Sequence, residues 1–162
     1  MTNNDMLIKL YDLEFNYAFV DQQAKKGVVI RKPIGPDQLL ILSWAEEQQF
    51  PSMWIGEIQR ALNNSPCSCF IAQRDSLLLG IACYDATALG YFGPLGVVDN
   101  SRGLGIGRSL TMACLLDMQL RGYGYAIVGM AGNTDFYRKV TNAVEIPDSN
   151  PGIYQSTIKL ND

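Results

Sequence analysis

Residues 97–110, VVDNSRGLGIGRSL, constrain the fold more than any other stretch of the chain. Two β-branched residues open it as a strand, Gly103, Gly105 and Gly107 follow at alternate positions, and a helical pattern begins at Ile106. A strand that runs through glycines into a helix presents unpaired backbone N–H groups at the positive end of the helix dipole, an arrangement suited to phosphate. Two phosphate-binding loops fail on spacing. A P-loop needs one more residue between its outer glycines and a lysine where Arg108 stands. A dinucleotide fingerprint needs GxGxxG, whereas the glycines run GxGxG and no acidic residue ends the next strand.

Around this loop the pattern predicts a mixed α/β order. GVVIRKPI reads as a strand, GPDQLLILSWAEEQQF as a helix opened by Pro36 and Asp37 and closed by Pro51, and SMWIGEIQRALNN as a second helix with Met53, Ile58 and Leu62 on one side. CSCFIAQR and SLLLGIACYDA form a hairpin across Asp75 and Ser76. GYFGPLGVVD is a third strand whose Pro94 calls for a bulge, because proline cannot donate to a ladder. The helix from Ile106 to Arg121 is apolar almost all round and therefore buried on several sides, and Gly122 and Gly124 stop it. YAIVGMA is a buried strand, TDFYRKVT a helix capped by Asn133 or Thr134, and IYQSTIKL a closing strand. The length fits one domain over 1–162, with residues 1–25 expected to be irregular or an extension.

A net charge of −3 and a pI near 4.9 disfavour a nucleic-acid partner, which would need a basic face. No leader pattern and no apolar run long enough for a membrane are visible, so a cytoplasmic protein without a membrane partner is expected. Cys67, Cys69, Cys83 and Cys114 lack CxxC spacing, and the chain has no histidine, which favours core thiols over disulfides and predicts no metal. Cys67 and Cys69, two apart, would share a strand face.

Arg102-Gly103-Leu104-Gly105-Ile106-Gly107 matches the [QR]xxGx[GA] motif of the GNAT acetyltransferase superfamily. The resemblance covers roughly Val28 to Leu160: LGVVDNSRGLGIGRSL looks like that superfamily's strand, pyrophosphate loop and helix, and FYRKV like its tyrosine helix. It implies a mixed central sheet with a splayed strand pair, flanked by helices. It also implies acetyl-CoA as co-substrate, with the pantetheine arm on the backbone edge of Leu95, Val97 and Val98. The diphosphate would lie on the N–H groups of Arg102, Gly103, Gly105 and Gly107, with Ile106 inside the motif and Arg108 close by. Asn133 precedes Tyr137 by four residues, where the family often shows an asparagine about seven before the tyrosine, so Asn133 is either a CoA contact or a helix cap.

The function implied is transfer of an acetyl group to a primary amine of a small molecule by direct attack in a ternary complex. FYRKVTNAVEIPDSNPGIY resembles GNAT domains that occur with hexosaminidase-like enzymes, which adds amino sugars to the expected acceptors. The alternative is a catalytically silent acyl-CoA sensor or scaffold. With no histidine available, Tyr137 is the candidate acid for the departing thiolate if Phe136 is the residue that faces the core, and the Val97 N–H the candidate for polarising the carbonyl. The base is open among Asp85, Glu145, Asp99 and water. Trp44, Trp54, Tyr84, Tyr91 and Phe92 read as core or as acceptor contacts. An exposed edge at IYQSTIKL would favour a homodimer.

Overall fold

Seven strands form one mixed sheet in the computed structural model of the protein, which describes residues 3–14 and 16–159. In chain order the elements are β1 (Met6–Lys9), α1 (Ala18–Ala24), β2 (Val28–Arg31), α2 (Gln38–Glu47), α3 (Ser52–Asn63), β3 (Cys69–Arg74), β4 (Leu77–Tyr84), β5 (Tyr91–Val97), α4 (Ile106–Leu120), β6 (Tyr125–Val128), α5 (Thr134–Thr141) and β7 (Val144–Glu145). The strand order is β2-β3-β4-β5-β6-β1-β7. Neighbours run antiparallel except β5 and β6, which are joined by the crossover helix α4 and run parallel.

Strand alternation sends two sets of side chains to opposite faces. From β3 and β4, Cys69, Ile71, Ile81 and Cys83 meet Ile41, Ala45, Ile58 and Leu62 of α2 and α3. Their neighbours Ala72, Ala82 and Tyr84 meet Leu110, Cys114, Leu115 and Met118 of α4. The α4 pattern explains this placement, since Leu110, Leu115, Leu116 and Met118 are all fully buried, each worth about 1.5–3 kcal/mol in removed apolar surface. Tyr84 is locked in that layer by donating to Asp117, which Lys32 also pairs at 2.8 Å.

All four cysteines are free, and Cys67 and Cys69 do share the α2–α3 face, with sulfurs 3.3 Å apart. Among the described residues no His, Cys, Asp or Glu cluster that would hold a metal occurs, and no helix is long and apolar enough to cross a membrane.

Three expectations need correction. The described residues of this span, 3–14 and 16–25, are not irregular: Met6, Ile8 and Leu10 are buried at alternate positions, and β1 fills the free edge of β6 over four register pairs. β1 takes the edge of β6 and β7 pairs beyond it, and the described part of IYQSTIKL joins no strand: it runs through a 3-10 turn that spans Gly152–Ser156 and then non-sheet chain to 159. Leu160 lies outside the described residues. The strand edge behind the homodimer expectation is therefore not formed by those residues. Met53 leaves the core face of α3, which Ile58, Ala61 and Leu62 occupy, and is 44% exposed.

Candidate active site

The parallel pair separates almost as soon as it forms. β5 meets β6 only at Tyr91↔Ile127 and Phe92↔Val128. On its other side Ala82 faces Leu95 and Tyr84 faces Phe92, so β5 carries an extra residue at Gly93-Pro94, the bulge that proline required. Gly93 takes φ +123°, which L side chains rarely adopt. Past the bulge, Val98 donates its N–H to the Leu79 carbonyl at 2.8 Å. Backbone groups alternate sides along a strand, so Leu95 and Val97 turn their N–H and C=O groups away from β4, into the gap. Val98 departs from expectation: its N–H is taken by β4, and it borders a separate hollow with Asp99 and Asn100.

The gap widens into a cleft of about 770 Å³ that ends at the glycine loop. Leu95, Val97, Arg102, Gly103, Gly105, Ile106, Gly107, Arg108, Asn133 and Tyr137 all line it. Gly105 caps α4 in the left-handed region at φ 76°, and the first backbone bond into α4 runs from the Ser109 N–H to the Gly105 carbonyl at 3.0 Å. The N–H groups of Ile106, Gly107 and Arg108 precede that bond and are left open at the helix's positive end. Arg102 again departs in part: its N–H donates to the Asp99 carbonyl at 3.3 Å, leaving its exposed guanidinium, paired with Asp99 at 3.1 Å, as the group it offers.

Sequence reasoning missed what holds this loop. The fully buried Gln23 of α1 donates to the Leu104 carbonyl at 3.0 Å and to the Ser109 hydroxyl at 3.1 Å, and Lys26 donates to the same carbonyl at 2.9 Å. No local signal marks Gln23, which is 81 residues from Leu104.

Across the cleft, Asn133 caps α5 by accepting from the Phe136 N–H at 3.0 Å while also lining the cavity, so both of its expected roles are geometrically open. Tyr137 and Phe136 reverse the expected assignment: Tyr137 is 7% exposed and Phe136 half-buried, with the two rings edge to face at 5.1 Å and Tyr137 also against Phe92 at 6.0 Å. The condition set for Tyr137 as acid, Phe136 in the core, is therefore not met, and its candidacy rests instead on its lining the cleft beside Phe136. Burial raises the Tyr137 phenol well above its ordinary value of 10, so it holds its proton throughout the neutral range.

None of the three candidate base carboxylates lines the cleft. Asp85 accepts from the Gly90 N–H and the Tyr123 hydroxyl, both at 2.7 Å. Glu145 pairs with Arg138 at 3.5 Å, and Asp99 with Arg102. The one carboxylate among the described lining residues is Glu57 of α3, whose Oε2 accepts from the Thr87 hydroxyl at 2.7 Å. Burial pushes the Glu57 carboxyl upward, and the Thr87 hydrogen bond pulls against it. A usable signal was present: Met53, Trp54 and Glu57 lie within one turn of α3, and all three line the cleft.

Trp44 and Trp54 separate. Both stack edge to face on Phe50 at 5.4 Å, but only Trp54 lines the cleft, and the Phe50 ring lies against Gly96 where a Cβ would sit. Tyr84 is core and Phe92 is both core and wall. Tyr154, from the C-terminal turn, closes the far end over Gly129, where an added Cβ would lie 2.9 Å from its Cε2. Beside it, buried Asp5 accepts from the Met130 N–H at 2.8 Å and holds the end of β6.

No protein-family model and no curated protein matches the chain. Solved structures do. A GCN5-related glucosamine N-acetyltransferase region of a fungal multi-domain β-N-acetylglucosaminidase superposes with a TM-score of 0.69 at 13% identity, over 88% of this chain and 19% of that one. A GNAT-family acetyltransferase from Brucella melitensis, in complex with acetyl-CoA, gives 0.53 at 17% identity over 74% of this chain and 91% of that one. A GCN5-related N-acetyltransferase from Kribbella flavida gives 0.52 at 17% identity, and this chain spans 55% of its length. At such identities the likeness is one of architecture, and the splayed parallel pair beside a glycine loop at a helix N-terminus gives this chain the fold of the GNAT acetyltransferases.

Proposed function

We propose that the cleft binds acetyl-CoA and that the protein transfers the acetyl group to the primary amine of a small molecule, in the cytoplasm. The observation that carries the reading is the continuity of one backbone surface: the outward edge of Leu95 and Val97 runs directly into the open N–H groups at the start of α4. An extended amide-bearing arm pairs with such an edge as an added strand, and a diphosphate suits such a helix end. The residues fit that ligand, since a Cβ on Gly107 would meet only ordinary contacts at 3.9 Å from Phe136 and Val97, so the missing side chain leaves space on the cleft side. The acetyl-CoA-bound Brucella structure supports the same assignment.

Acetyl-CoA supplies an activated thioester. The Val97 N–H would polarise its carbonyl. As the amine nitrogen forms its bond to the acetyl carbon and the carbon–sulfur bond breaks, Tyr137 gives its proton to the sulfur and recovers one from the new amide nitrogen. Among small amines, amino sugars are supported by the fungal glucosamine N-acetyltransferase region.

Thermal shift with millimolar CoA, followed by thiol release from acetyl-CoA with an amine panel, tests the reading. Stabilisation and amine-dependent release are expected. Stabilisation with no release for any amine would favour an acyl-CoA sensor or scaffold, and no stabilisation would remove the proposal.

A further inference from the structure

The two ends of the cleft carry opposite charge. Arg102 and Arg108 line it at the glycine loop, and Glu57, the sole carboxylate among its described lining residues, stands at the other end with Trp54, Thr87 and Tyr154. Glu57 is half-buried, makes no ion pair among the described residues, and has one hydrogen bond, from Thr87 to Oε2. An uncompensated carboxylate in a partly desolvated cavity is costly unless a cation meets it. The nearest guanidinium on its own helix, Arg60, is turned to the Thr87 carbonyl at 3.3 Å on the exposed side. Tyr154 lines the same end, and burial raises its phenol while Thr87 pulls against that rise.

We infer that Glu57, with the hydroxyls of Thr87 and Tyr154, receives the acceptor's ammonium group, takes one proton from it, and selects amines that carry no carboxylate or phosphate beside the nitrogen. This rests on the acetyl-transfer reading above. The ammonium gives that proton to Glu57, which passes it to water, and the neutral amine then attacks. An acceptor with its own anion near the amine brings a second negative charge to an end of the cleft where no cation is among the described lining residues, whereas a hydroxylated amine meets two hydroxyls. Burial, which raises the Glu57 carboxyl, brings its proton affinity closer to that of the amine it must deprotonate.

Calorimetry separates the two readings by titrating CoA and amine independently, the amine with and without saturating CoA. Glucosamine and 1,4-diaminobutane should bind wild type, and glycine and 2-aminoethyl phosphate should bind or react at least about 100-fold more weakly in kcat/KM, the loss expected for an unpaired charge. Glu57→Gln should lose amine affinity by about 30-fold and lose the acid limb of the pH–rate profile, with CoA affinity within twofold of wild type. Thr87→Val, which keeps the carboxylate, should show a smaller loss in the same direction. Equal affinity of Glu57→Gln for the amine, no amine binding by wild type, or equal use of glycine and glucosamine would each overturn the subsite. Failure of CoA to bind would overturn only the acetyl-CoA reading, since the titration without CoA still judges Glu57.

Discussion

The Gln23 amide donates to the Leu104 carbonyl at 3.0 Å, so a helix near the start of the chain holds the centre of the glycine loop. The same amide reaches Ser109 in the first turn of α4, and its Oε1 is buried without a hydrogen-bond partner among the described residues. Gln23→Leu removes both bonds, worth about 1.5 kcal/mol to the loop's shape, and should raise the Kd for CoA about tenfold while leaving the far-UV spectrum unchanged. Titration calorimetry reads this directly, and an unchanged Kd would mean the loop is rigid without α1.

Gly107 separates stability from binding. The protein itself admits a methyl group there, and alanine is the better helix former, so Gly107→Ala should keep Tm within about 2 °C of wild type or raise it. The same methyl intrudes on the cleft, and CoA affinity should fall at least about tenfold. A variant that binds CoA normally would show that the diphosphate lies elsewhere.

Tyr137→Phe should lower kcat by about 10²-fold with little change in CoA affinity, the usual range for a lost general acid. It should not cost stability, since no side-chain partner of the hydroxyl is found among the described residues. Above about pH 10, where an unfolded tyrosine ionises, the folded wild type still binds its proton, so wild-type stability falls as pH rises and the phenylalanine variant escapes that loss. Activity within a few-fold of wild type from pH 6 to 10 would make Tyr137 structural.

Glu57→Gln should behave in the opposite way to an ordinary salt-bridge mutant. The folded carboxyl is raised above the unfolded value of about 4.3, so the folded state binds the proton more tightly and wild-type stability falls as pH rises from there through the raised value. At pH 7 the neutral amide should therefore raise Tm by roughly 1–3 °C, and the gain should vanish near pH 4. A lower Tm at pH 7 would show that the carboxylate is held by something other than Thr87.

What was legible in the sequence was local. The Arg102–Gly107 spacing, the bulge at Pro94, the hairpin across Asp75 and Ser76 and the apolar stripe of α4 each depend on residues a few positions apart, where φ preferences and 3.6- or 2-residue periods act directly. Leu95, Val97, Gly103, Gly105, Gly107, Arg108 and Tyr137 line one cleft. Val98 could not be sorted from Val97 until the Leu79 bond set the phase of β5.

Competition among distant segments decided the rest. IYQSTIKL has strand propensity, but propensity does not choose a partner, and it is Met6–Lys9 that holds the edge of β6, with β7 paired beyond it. Gln23 joins the glycine loop across 81 residues, and Glu57 meets Thr87 across 30, through the packing of α1 and α3 on opposite faces of the sheet. The sequence by itself determined which turns, caps and periodic faces could form, because those follow from the backbone and side-chain chemistry of neighbours. Only the tertiary structure decided which carboxylate enters the cleft and which helix steadies its loop, because burial, charge pairing and edge occupancy are settled by residues that meet only once the chain has folded.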